Sequence, residues 1–350
     1  MKIPRILLFS FLILLILAAG IGLAVDQTRY PEIPVNQSDT STTVVHIEFP
    51  FMDDVVVGDI TLRLAPYNGA KMEGVKATPL FGCSPERYYS AIAYDPALDQ
   101  MYKKLFGIFD AYAKEHALTS DEYIELLTTY VQNIPYKTSG GEIKFPIETV
   151  IDDWGDCDDK SILLAGLLDK KGYDAGVFLF KKDNHMAAGV KGGSQTDYEN
   201  SGYSIIETTR YAYIGEIPEL LHQGSDHGDY SFYRIGNGTE VYTASWQVST
   251  ILNVRDTAYA ALEILYQGLS SLSATIEEEK AKLANPEYAS NTTLRSEYDL
   301  HLDEYDEGIK AGNKIRATLH MINSEPYNRE KVYQTIQSMR EDPGPGKVNI

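Results

Sequence analysis

The sequence predicts an α+β fold: a buried helix packed on a small antiparallel sheet, with an N-terminal transmembrane helix and a C-terminal helical hairpin. Three observations carry this reading. The segment after Cys157 is apolar on several sides, as a helix enclosed by its domain must be. Short β-branched and aromatic runs follow it, separated by polar or Gly-rich turns. The chain opens on a long apolar run and, past Val254, repeats apolar residues at helical spacing. The 350 residues, 43% of them hydrophobic, allow one substantial globular domain with smaller attachments. A formal net charge of −19 repels nucleic acid and anionic lipid surfaces. It excludes nucleic-acid partners and, more weakly, favours cationic or calcium partners.

Lys2 and Arg5 precede an apolar run from Ile6 to Val25, about the length that crosses a ~30 Å hydrocarbon core. The positive end stays cytoplasmic, so residues 1–25 read as a single-pass anchor in the cell membrane with everything after Asp26 outside the cytoplasm. Cleavage after the small pair Gly22 and Ala24 would instead give a secreted protein. The run exceeds a usual signal core of ~7–15 residues, which favours the uncleaved anchor. Residues 26–93 form a linker and strand-rich segment. Its first part, 26–42, is polar and proline-bearing, and Thr43 to Leu64 carries two strand-like runs ending in DVVVGDITLRL. Residues 65–93 are punctuated by Gly and Pro and receive no element.

Residues 94–245 read as the core. Asp95 and Pro96 open a helix whose apolar face is Leu98, Met101, Leu105, Ile108 and Tyr112. Thr119 and Glu122 fit a capping box, and Tyr123, Leu126, Leu127, Tyr130 and Val131 give that second helix its buried face before Pro135 stops it. The third helix follows Cys157, with Ile162, Leu163, Leu164, Leu167 and Leu168 enclosed, and ends at Gly172. DAGVFLF, HMAAGV and YSIIETT then read as strands of a small antiparallel sheet packed on the helix. Residues 246–323 read as two long amphipathic helices broken at Asn285 and Pro286, hence a helical hairpin. Their charged outer faces read as solvated surface, or as a docking platform or oligomer contact. Residues 324–350 read as a C-terminal tail.

Two cysteines in an exported chain ordinarily form one disulfide, here Cys83 with Cys157. The acidic collar of Cys157 in WGDCDDK argues instead for a working thiol. Thiol catalysis needs a thiolate, a base to generate it, and a group that holds the base in the useful tautomer. Cys157 at a helix start, His185 opening one strand and Glu207 on the next supply these types in order. If HMAAGV and YSIIETT are antiparallel neighbours, the imidazole and the carboxylate lie side by side. The helix N-terminus favours a thiolate, whereas Asp156, Asp158 and Asp159 oppose it unless they cap the helix or bind a cation. The backbone N–H of Cys157 is the first candidate oxyanion donor and Gln132 the second.

GDCDDKSILLAGLL, followed by NHMAAGV and then IIETT, resembles the transglutaminase-like superfamily, in particular its archaeal and bacterial cysteine-peptidase-like members. The likeness covers roughly residues 95 to 220. It implies a papain-like core with Cys157 as nucleophile, His185 as general base and acid, and Glu207 as the orienting acid. Glu207 stands where the family commonly has an aspartate, and HMA lacks the tryptophan that many transglutaminases carry close after the histidine. The second departure argues against amide crosslinking. The implied activity is a cysteine peptidase or amidohydrolase acting on protein or peptide amides through a thioester that water resolves. Transamidation is the alternative within the enzyme class, and an inactive surface binding module on the same fold is the alternative outside it. No cofactor is required; calcium at Asp156 and Asp158 is an option the resemblance leaves open.

Overall fold

Alternation at period two sets the first element. In β1 (Thr42–Phe51) and β2 (Asp54–Arg63), Ile47, Phe49, Phe51, Val56, Ile60 and Leu62 point inward and are buried, while Val44, Val55 and Val57 between them face solvent. The two strands pair antiparallel from Thr42 opposite Arg63 to Phe51 opposite Asp54. The computed structural model that shows this describes residues 14–17, 30–73, 76, 84–138, 140, 142–222 and 229–341. The expected anchor, residues 1–25, lies outside the described residues except for 14–17, which are helical. Among the described residues no helix is long and apolar enough to cross a membrane. Cys83 and residues 342–350 also lie outside them.

The chain divides into two units, Met1–Ser245 and Trp246–Ile350. In the first, the β1–β2 hairpin is followed by α1 (Leu64–Met72), α2 (Pro85–Ala93), α3 (Asp99–Glu115), α4 (Ser120–Asn133), α5 (Pro146–Asp152) and α6 (Cys157–Lys170). α3 approaches β2 closely because Gly58 has no side chain; a Cβ there would sit 2.6 Å from Cδ1 of Ile108. The rings of Phe49, Phe109 and Tyr130 meet at centroid distances of 5.0 to 6.3 Å, joining β1, α3 and α4. α4 begins with the Thr119–Glu122 capping box and stops two residues before Pro135.

Four details differ from the sequence reading. Residues 30–35 are not a free linker: Pro31 and Ile33 are buried, and Ile33 N–H donates to Asp95 Oδ2 at 2.7 Å. The unassigned 65–93 region holds α1 and α2, the latter capped by Ser84 with Pro85 in its first turn. Asp95 does not cap α3 directly; it caps a single 3₁₀ turn, Pro96–Leu98, that leads into α3. Beyond residue 323, where a tail was expected, α10 (Arg329–Glu341) is helical.

After α6 the chain forms a four-stranded antiparallel sheet of order β5-β4-β3-β6, made of β3 (Ala175–Phe180), β4 (His185–Lys191), β5 (Tyr203–Ile206) and β6 (Ser231–Ile235). A one-turn helix, α7 (Glu219–His222), lies between β5 and β6. Ile162, Leu163, Leu164, Leu167 and Leu168 of α6 are all fully buried, and α6 packs against β4 and β3. Phe178, Phe180, Tyr198, Tyr230 and Phe232 cluster around the sheet. Gly189 makes room for that cluster, since a Cβ would lie 2.6 Å from the Phe178 ring.

The second unit contains the rest of α8 (Ser245–Leu283), α9 (Thr292–Ser324) and α10. α8 and α9 run antiparallel, with Asn323 bonded to Tyr259, Arg316 to Tyr266 and His301 to Glu279. Asn291 caps α9 by accepting from Leu294 N–H. α10 returns along the start of α8, where Tyr333 meets Trp246 edge to face with centroids 5.1 Å apart.

Candidate active site

Cys157 is a free, half-buried thiol at the first position of α6. The helix start is fixed by a reciprocal capping box: Asp156 accepts from Asp159 N–H, and Asp159 Oδ2 accepts from Asp156 N–H at 3.2 Å. As first helical residue, Cys157 offers a backbone N–H with no partner inside the helix. Gly155 permits this approach. A Cβ at that position would lie 2.9 Å from Asp159 Cβ and 3.1 Å from Thr149 Cγ2. Gly155 also bridges to the segment leaving α4, donating to Pro135 O at 3.2 Å and accepting from Lys137 N–H at 3.0 Å.

The β3–β4 turn delivers the base. Asn184 adopts a left-handed conformation (φ 48°), which asparagine tolerates better than most residues, and His185 follows as the first residue of β4. β4 and β5 are antiparallel neighbours, and continuing their register sets Glu207 opposite Ala187, diagonal to His185 on the same face. His185 Nε2 and Glu207 Oε2 are 3.1 Å apart, and the Cys157 thiol is close enough to the imidazole to raise its basicity. Because Nε2 faces the carboxylate, Nδ1 is the nitrogen left to serve the thiol. The other carboxylate oxygen, Oε1, accepts from Thr209 N–H at 2.6 Å and Thr209 Oγ1 at 2.7 Å. The structure therefore brings all three sequence-predicted site residues together.

Electrostatics favour a charged pair. Burial alone would make the imidazole less basic, but the Cys157 thiol, the bond to Glu207 and the carboxylate charge raise it to about 9. Burial alone would raise Glu207, yet His185 and Thr209 hold it down at about 2. An imidazolium beside a carboxylate is the state this geometry selects at neutral pH.

The acidic collar is resolved by local bonding. Asp159 is fully buried, and its Oδ1 accepts from Lys144 N–H at 2.6 Å while Oδ2 serves Asp156. Burial and the neighbouring Asp156 raise Asp159 to about 7. Burial and a hydrogen bond to Asp156 push Asp158 well above the carboxylate range. Oxygens of Asp156, Asp158 and Asp159 lie within 4.8 Å of one another. Calcium takes roughly six to eight oxygens. Here both Asp159 oxygens already accept backbone N–H groups, so the collar offers such an ion few of those oxygens.

Four residues around the site stand in places the sequence reading did not assign. Gln132 does not aim an amide at the reaction centre: its Nε2 donates to Glu207 O at 2.8 Å and Ala212 O at 3.0 Å, holding the turn that presents Glu207. Lys160 is fully buried and caps α4 through Gln132 O and Ile134 O; burial lowers it to about 8. Its signal was the lysine inside an otherwise enclosed helix. Tyr136 stands half-exposed beside Gly155. Trp154 packs under two ammonium groups, with Lys144 Nζ 2.8 Å and Lys137 Nζ 4.6 Å from its ring centroid.

No protein-family model, curated protein or solved structure matches this chain.

Proposed function

We propose that the chain is a thiol enzyme of transglutaminase-like type that hydrolyses protein or peptide amides outside the cytoplasm, held at the membrane by residues 1–25. The observation that carries the reading is that Cys157, the first residue of α6, lies beside a buried His185 whose Nε2 is 3.1 Å from Glu207. Cys157 Sγ attacks the amide carbon, and the carbonyl π pair moves to oxygen. His185 gives its proton to the departing amine, leaving a thioester on Cys157. Water then attacks the thioester, with His185 taking its proton and returning it to the thiol. Glu207 keeps Nε2 bonded throughout, so Nδ1 stays directed at the reacting sulfur. The papain-like description of the core belongs to this proposal and rests on the same helix, sheet and triad.

The test is to incubate the protein and its Cys157→Ala variant with a complex peptide mixture and count newly formed N-termini. The wild type is expected to generate them and the variant not to. Equal numbers from both, with no labelled amine incorporated by either, would overturn the reading.

A further inference from the structure

Acyl transfer places negative charge on the substrate oxygen, and a second donor beside the Cys157 N–H is needed to meet it. The side chains around the thiol are mostly committed. Gln132 serves two carbonyls, Lys160 caps α4, Thr209 serves Glu207, and Thr208 Oγ1 pairs with Ser161 Oγ at 3.2 Å. The Lys137 ammonium lies over Trp154.

Tyr136 differs from all of these. It pairs across a parallel bridge with Gly155, two residues before the nucleophile, and its side chain is half-exposed. Among the described residues its hydroxyl has no hydrogen-bond partner. Partial burial raises its pKa first, and the charges of Cys157, Asp156, Asp158 and Glu207 raise it further. The bridge to Gly155 thus sets Tyr136 beside the segment that leads into the nucleophile, and its phenol stays protonated at neutral pH, the form in which it donates.

We infer that Tyr136 is a further catalytic residue, whose phenol O–H donates to the substrate carbonyl oxygen as Cys157 attacks, completing an oxyanion site with the Cys157 N–H. No proton leaves the phenol; the bond shortens as charge gathers on oxygen and relaxes when the carbonyl reforms. The inference rests on the thiol-enzyme reading above, and the experiment separates the two.

Tyr136→Phe in the full chain is compared with wild type against two reagents at Cys157. Iodoacetamide alkylates by displacement and forms no oxyanion, whereas p-nitrophenyl acetate acylates through a tetrahedral oxyanion. The variant is expected to keep the iodoacetamide rate and to lose acylation by on the order of 100-fold, the scale of one oxyanion donor. Unchanged acylation in the variant would overturn the role of Tyr136 alone. A parallel fall in both rates would also overturn it, assigning Tyr136 to the thiolate or to packing. A wild type that shows no acylation at Cys157 would remove the thiol-enzyme reading and this inference with it.

Discussion

Glu207 divides its carboxylate between the imidazole and the following turn, one oxygen on His185 and the other on Thr209. His185 stands at about 9 against an ordinary 6.5, so its stabilising contribution is full below pH 6.5 and is lost as pH rises through about 9. Glu207 stands at about 2 against 4.5, so its contribution is present above pH 4.5 and is lost as pH falls through about 2. The pair is intact between those limits. Glu207→Gln removes the partner charge while leaving the imidazole buried, so the pKa of His185 should fall, read from imidazole NMR shifts against pH. A value unchanged from wild type would show that Cys157 alone sets it. At this scale the sequence was informative about residue types: a thiol at a helix start, a histidine opening a strand and an acid on its neighbour follow from chain order and strand pairing. Gln132 and Tyr136 were not legible in the same way. Gln132 acts on carbonyls 75 and 80 residues along the chain, and Tyr136 gains its place through a backbone bridge to Gly155.

Elements were legible where local chemistry and burial agree. The Thr119–Glu122 box starts α4, and its two reciprocal bonds are present. Thr119→Ala should therefore destabilise the first unit by about 1 kcal/mol, measured by urea denaturation. An unchanged midpoint would mean that packing alone sets where α4 begins. The β1–β2 hairpin and α6 were readable for similar reasons, through period-two alternation and an enclosed apolar run. α1 was not, because Pro66, Asn68 and Gly69 are poor helix formers. It is held by close packing instead: a Cβ on Gly69 would collide with Pro34 O. α5 and β6, at seven and five residues, are too short for a periodicity to show. α2 did carry a signal, Ser84-Pro85-Glu86, but its tyrosines blur the apolar stripe.

At the scale of the whole molecule, a strongly acidic chain coexists with a site whose carboxylates are individually accounted for. The net charge of −19 is compatible with the proposed thiol chemistry at the N-terminus of α6. The proposed thiolate needs an imidazolium beside it, because Asp156, Asp158 and Asp159 surround Cys157 in the chain. The most direct test is the rate of Cys157 alkylation by iodoacetamide on the full chain across pH 5 to 9, read by intact mass, with His185→Ala alongside. The account predicts rapid alkylation at the acidic end of that range, at least about tenfold slower in His185→Ala and indifferent to EDTA. Equal rates for the two proteins at every pH would contradict it and leave Cys157 as an ordinary thiol at a helix end.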